Sequence, residues 1–191
     1  LSSYFPTSHQ PILLYPDTYR FTKQDRVAVI LGQAYSRMQL ELATAWEKKK
    51  QGLPYKSAYE ALIMASIIEK ETGRADERSA IAGVFVRRLE QGMRLQTDPT
   101  VIYGLRDQLE GLLTRKHLKQ NTPYNTYMHK GLPPSPIALP GLKAIQSAFY
   151  PDESDALYFV ARGDGGHIFS DNLADHNQAR VDVKRNLKQE R

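Results

Sequence analysis

The 191 residues predict an α+β chain, helix-dominated, with a small antiparallel β-hairpin and long Pro/Tyr-rich loops. Three observations point to this class. Apolar residues recur every three or four positions through most of the chain, the period of helices packed on one face. One segment, "ALYFVARGDGGHIFS", instead holds two alternating strands around a Gly-Asp-Gly-Gly turn. Residues 121–141, "NTPYNTYMHKGLPPSPIALPG", interleave prolines with tyrosines and are loop by composition. So long a loop inside a compact domain is usually functional.

The elements follow in order. Residues 1–24 are rich in Pro, Ser, Tyr and Thr and form an irregular lead-in with room for one short strand. From Asp25 to Lys50 the apolar spacing is helical, and closing lysines suit a helix C-terminus. Ser57 caps a second helix, with Glu60 three residues later as a capping box, and Gly73 is its expected C-cap. A third helix runs from Asp76 to Gln91 and stops at Gly92. Asp98 is the expected N-cap of a short fourth helix, with Pro99 in its first turn. Gly141 to Phe149 is helical, the hairpin follows, and Asp171 opens a final helix to about Lys188.

Composition narrows the function classes. Hydrophobic residues at 41% and charged residues at 25% fit an ordinary globular protein. No apolar run reaches the length of about 18 residues needed to span a bilayer, and no signal peptide is visible. The first residue is Leu, so a fragment or a processed product is expected. A net charge of +5 favours acidic partners, but part of it is the C-terminal run "VKRNLKQER". No nucleic-acid motif accompanies that charge, so no nucleic-acid partner is expected. The absence of cysteine excludes disulfides and thiolate metal sites. His129, His167 and His176 show no ligand spacing, so no metal is expected, and "RGDGGH" lacks the helix that a phosphate loop requires.

The densest chemistry lies in "ALIMASIIEKETGR", residues 61–74. This helix is apolar on nearly all sides yet ends in Glu69 and Glu71. Two residues apart, they diverge by about 200° around the axis, so one can face solvent while the other faces a cleft. Stepping back from Glu71 meets Ile68, Ile67 and Met64; from Glu69 it meets Ser66, Ala65 and Leu62. The bulkier wall belongs to Glu71, and desolvation there, aided by the negative helix end, raises a carboxyl pKa. Those are the conditions for a general acid at neutral pH. The competing assignment makes both glutamates ion-pair partners of Arg74, Arg78, Arg87 or Arg88. Asp98 is the rival second carboxylate, though before Pro99 it reads better as a cap. Gln96 and Thr97, just before it, offer an amide and a hydroxyl for hydrogen bonding. Tyr124, Asn125 and Tyr127 offer flat rings for stacking and an amide for hydrogen bonding, with at least one tyrosine expected in the core.

In chain order, "MASIIEKET", "GMRLQTDPTVIYG", "PYNTY", "GLPPSPIALPG", "LYFVARGDGGHIFS" and "NLADHN" resemble the endolytic murein transglycosylases of the YceG-like family, from about residue 15 to near the C-terminus. The resemblance implies that residues 25–191 are a peptidoglycan lytic transglycosylase domain. Residues 1–24 would then be the remnant of a truncated N-terminal region that carries a LysM-like module and a membrane anchor. The family's catalytic glutamate falls on Glu71, and Gln96, Thr97, Asp98, Tyr124, Asn125 and Tyr127 become its substrate-binding candidates. It implies cleavage between N-acetylmuramic acid and N-acetylglucosamine with 1,6-anhydro ends, limiting strand length. The place would be the periplasmic face of the bacterial inner membrane, with cell-wall synthases as partners and no cofactor. No residue pattern supports a pyridoxal-phosphate site. Leu139 departs from the family's frequent Asn and is no site candidate. A non-catalytic glycan-binding scaffold is the alternative, which a Gln or Ala at position 71 would have favoured.

Overall fold

A computed structural model describes residues 13–109 and 111–189, so the first half of the lead-in lies outside the described residues. The described part contains six α-helices and one two-stranded antiparallel sheet, the α+β arrangement expected from the sequence. Residues 13–26 contain no strand; the segment instead lies along the first helix, α1 (Val27–Glu47), where the Tyr15 amide donates to the Ala34 carbonyl at 3.0 Å. Ala34, Met38 and Leu42, spaced four apart, form the buried stripe of α1.

At the centre is α2 (Ala58–Glu71), with every residue from Ala61 to Ile68 buried. Ser57 caps it, its hydroxyl accepting from the Glu60 amide at 3.3 Å, and Glu60 reaches back to the Lys56 amide at 2.7 Å. The reciprocal cap thus spans one residue more than the usual box. The helix does not end through Gly73. Thr72 turns extended (φ −144°, ψ 138°) directly after Glu71, so the chain leaves without a left-handed cap. α3 (Arg78–Glu90) ends as expected, with Gly92 at φ 62° and the Met93 and Gly92 amides donating to Arg88 and Leu89. α4 (Asp98–Leu105) and α5 (Leu142–Phe149) are about two turns each. α5 packs across α2, α1 and α3, and Phe149 meets Trp46 and Tyr55 edge-on.

The 121–141 loop is tied to this core through a small residue. Ser66, buried in mid-α2, donates to its own helix at Ile63 and accepts from the Ile137 amide at 2.9 Å. β1 (Tyr158–Ala161) pairs with β2 (His167–Ser170), Phe159 opposite Phe169, around a turn with Gly163 and Gly165 at φ 98° and 86°. Two adjacent arginines of α3 stitch the approach to this hairpin: Arg87 Nε donates to Ala156 and Arg88 Nε to Leu157. The final helix, α6 (Leu173–Gln189), packs on both strands, capped by Asn172, whose Oδ1 accepts from the Asp175 amide. The core therefore lies under α2, and the cleft opens where the C-terminal end of α2 meets the hairpin and α6.

Candidate active site

Glu69 and Glu71 diverge as helix geometry requires. The Glu69 carboxylate accepts from the Gly141 amide at 3.1 Å and so anchors the start of α5. Glu71 instead lines a cavity of about 720 Å³, within the ordinary size of ligand pockets, roughly 300–1,000 Å³. Neither glutamate forms an ion pair among the described residues; Arg74 pairs with Asp76 and Glu77, and Arg87 with Asp152. Burial pushes the Glu71 carboxyl up to about 7, and the nearby Asp98 charge adds to the rise. Thr97 opposes it. The Thr97 hydroxyl is buried with no hydrogen-bond partner among the described residues, so it is available to the charged carboxylate.

Segment 96–98 forms the facing wall. Gln96 is held at φ 54°, a left-handed conformation that costs a residue with a side chain about 1–2 kcal/mol. A buried threonine cluster imposes it. The Gln96 amide donates to the Thr126 carbonyl, the Thr97 amide donates to Thr126 Oγ1, and Thr126 Oγ1 lies 2.8 Å from Thr100 Oγ1. Gln96 and Asp98 are thereby exposed on the cavity while Thr97 stays buried.

Asp98 is not the cap. Thr97 occupies the N-cap position of α4, and Asp98 is its first helical residue. One Asp98 oxygen accepts the Tyr127 hydroxyl at 2.6 Å across the cavity wall. Asn125 and Tyr124 do not reach the cavity. Asn125 is fully buried, and its amide donates to the Leu118 and Gln120 carbonyls while its oxygen accepts from the Tyr127 amide. It shapes the loop and has nothing left for an acetamide. Tyr124 packs on Tyr103 at 4.8 Å and its hydroxyl bonds Ser135 at 2.6 Å, so it is the core tyrosine. Of the seven candidates the cavity gathers Glu71, Gln96, Asp98 and Tyr127, with Thr97 directly behind.

The opposite wall was not anticipated from sequence. Arg88 of α3, Tyr158 and His167 of the hairpin, and His176, Asn177 and Arg180 of α6 complete the cavity. His167 is oriented by Glu77, whose carboxylate takes the ring Nδ1 at 2.7 Å and the backbone amide at 3.1 Å. No cluster of metal-ligating side chains exists among the described residues.

The chain resembles known proteins over most of its length. The sequence matches the YceG-like family over residues 7–182. It is 37% identical over 172 residues to an endolytic murein transglycosylase of Bacillus subtilis, covering 87% of this chain and 46% of the relative. An enzyme of the same name from Streptococcus pneumoniae is 30% identical, with 86% and 30% covered. A YceG-like protein of Listeria monocytogenes, known from a crystal structure, superposes with a TM-score of 0.75 at 40% identity, over 87% of this chain and 54% of that one. The chain therefore spans about half, or less, of the length of these relatives. A family match over nearly the whole chain and a shared backbone at this identity establish that the chain belongs to the YceG-like family.

Proposed function

We propose that residues 25–191 are the catalytic part of a peptidoglycan lytic transglycosylase, with Glu71 as its only acid and base. One observation carries this: a carboxyl without an ion-pair partner, on a cavity wall, held protonated to about pH 7 by burial. Glu71 gives its proton to the glycosidic oxygen between N-acetylmuramic acid and N-acetylglucosamine as the bond to C1 breaks. The muramyl C6 hydroxyl attacks C1 and returns its proton to the Glu71 carboxylate, leaving a 1,6-anhydro end. Water is not consumed. Intramolecular attack is favoured because the hydroxyl is tethered to the reacting ring. Gln96, Asp98 and Tyr127 would hold the sugar, and the relatives' names support the substrate.

A hydrolytic form of the same reaction has one observation in its favour, since Asp98 is free of capping and lines the cavity with Glu71. A hydrolase uses two carboxylates flanking the bond. Digestion of glycan strands in heavy-oxygen water separates the two. An unlabelled product of unchanged total mass is the expected result; label in the new muramyl end would make Asp98 base or nucleophile. Strands left uncut would return the chain to a glycan-binding scaffold.

The wider setting belongs to the same proposal. The whole protein would act from the periplasmic face of the inner membrane beside cell-wall synthases and limit strand length. No described helix is long and apolar enough to cross a membrane, so an anchor would lie outside the described residues.

A further inference from the structure

We propose that the end of the cavity built by Arg88, Arg180 and His176 is a carboxylate-binding subsite, which grips an acidic group carried by the glycan. This deepens the proposed function and rests on it.

Arg88 is the central observation. Only 7% exposed, it lines the cavity, yet among the described residues it has no carboxylate partner. Its neighbour Arg87, by contrast, pairs with Asp152 at 3.3 Å. Arg88 Nε donates to the Leu157 carbonyl at 2.6 Å, and Nη1 donates to Arg94 and Leu95. Nη2 has no acceptor among the described residues. Carbonyl oxygens fix the guanidinium in place without neutralising it, and a buried charge without a counter-ion is unfavourable. An anion arriving through the cavity would complete it, in the forked geometry that arginine offers carboxylates.

The surroundings agree. Tyr158 carries the Arg88 guanidinium at 5.0 Å and stacks on His176 at 5.2 Å. His176 Nδ1 is buried without a partner, and Arg180 follows one helical turn later on the same face. Tyr127, also on the cavity, gives its hydroxyl to Asp98, so that carboxylate already has a partner of its own. A neutral oligosaccharide would gain nothing from this cationic end. Two acids of a cell-wall strand have the right chemistry: the lactyl carboxylate of muramic acid freed of its peptide, and a carboxylate of the peptide stem itself.

Isothermal titration of the Glu71→Gln chain, which leaves the ligand uncut, tests this with alternating N-acetylglucosamine–N-acetylmuramic acid tetrasaccharides. The lactyl groups would be free acids, neutral methylamides, or joined to peptide stems. An acidic ligand should bind at least about tenfold tighter than the methylamide, the scale of one charge-assisted bond. That advantage should vanish on adding Arg180→Gln, an exposed position whose loss leaves the fold intact, and Arg88→Gln. Whichever acidic form binds tighter identifies the source of the carboxylate. Equal binding of acid and methylamide overturns the subsite and spares the transglycosylase proposal. If no tetrasaccharide binds, both fall.

Discussion

The two walls of the cavity differ in kind. The Glu71 wall is the end of a helix buried on every side, backed by a closed threonine cluster that forces Gln96 out of its preferred backbone conformation. The opposite wall joins half-buried hairpin residues and mostly exposed α6 side chains to the buried Arg88 of α3, which bonds the Leu157 carbonyl before the hairpin. On the Glu71 wall burial raises a carboxyl pKa; on the other it lowers those of Arg88 and His176, and the polar groups left open there can grip a ligand. On the function proposed above, the comparison implies a division of labour: chemistry on α2, affinity on the hairpin and α6. It can be broken by substitutions on either side.

The largest effect belongs to Glu71→Gln. The amide fills the same space and cannot transfer a proton, so the cleavage rate should fall by about 10²–10⁴-fold, the contribution of a general acid–base group. Glu69→Gln keeps an oxygen for the Gly141 amide and should cut strands at close to the parent rate. Rates of glycan cleavage beside thermal melts decide this. A dead Glu69→Gln chain that still folds would reverse the two assignments.

Next in size is the pH dependence. With the carboxyl at about 7, the protonated form needed for cleavage is lost as pH rises, so the rate should fall about tenfold per pH unit well above 7. Stability moves with it. The folded state keeps this proton to higher pH than the unfolded state, whose carboxyl has the ordinary value of 4.5, so unfolding free energy declines from about pH 4.5 to about pH 7 and then levels. The decline is about 3 kcal/mol in all, taking 1.36 kcal/mol per unit of pKa between 4.5 and about 7. Glu71→Gln should remove it, and denaturant melts of both chains at pH 5 and pH 8 measure the difference. A parent chain equally stable relative to the variant at both pH values would contradict the buried, protonated carboxyl.

The same contrast explains what could be read in the sequence. Helical periodicity located all the long helices, and the Gly-rich turn located the hairpin, because both signals are local. Glu71 stood out because the bulk of its helical neighbours is also local. Asp98 was misread as a cap because an N-cap and a first-turn aspartate occupy the same kind of sequence, and only the buried Thr97–Thr126 contact moves the helix start by one residue. Asn125 and Tyr124 carry the right chemistry for sugar, but nothing local says their polar groups are already bonded within the loop. Arg88 sits in "GVFVRRLEQ" like any arginine near a helix end, and the charged α6 resembles a solvated face. Its one hint was an arginine on the apolar side of α3, where only Arg88, not Arg87, is buried.

A smaller effect should follow from Asp98→Asn. The amide oxygen still accepts the Tyr127 hydroxyl, so only charge is lost. If Asp98 positions Tyr127 and the sugar, kcat/KM should fall by no more than about tenfold, as expected for a weakened charge-assisted bond. A drop equal to that of Glu71→Gln would place a second acid or base on the chemical wall.

The smallest effect tests the far wall. Glu77→Gln keeps an oxygen for the His167 amide but loses the carboxylate that takes the ring Nδ1. His167 of the hairpin lines the cavity and is not among the groups that perturb Glu71. If this wall only grips, its loosened ring should raise KM by roughly three- to tenfold, about one hydrogen bond's worth, and leave kcat unchanged. The pH at which the rate begins to fall should also stay at the parent value, since it reports Glu71. A lowered kcat with unaltered KM would mean that His167 touches the reacting centre, and the two walls would then share the chemistry. Steady-state kinetics on strands of defined length, run across pH 6–9, measure both quantities in one series.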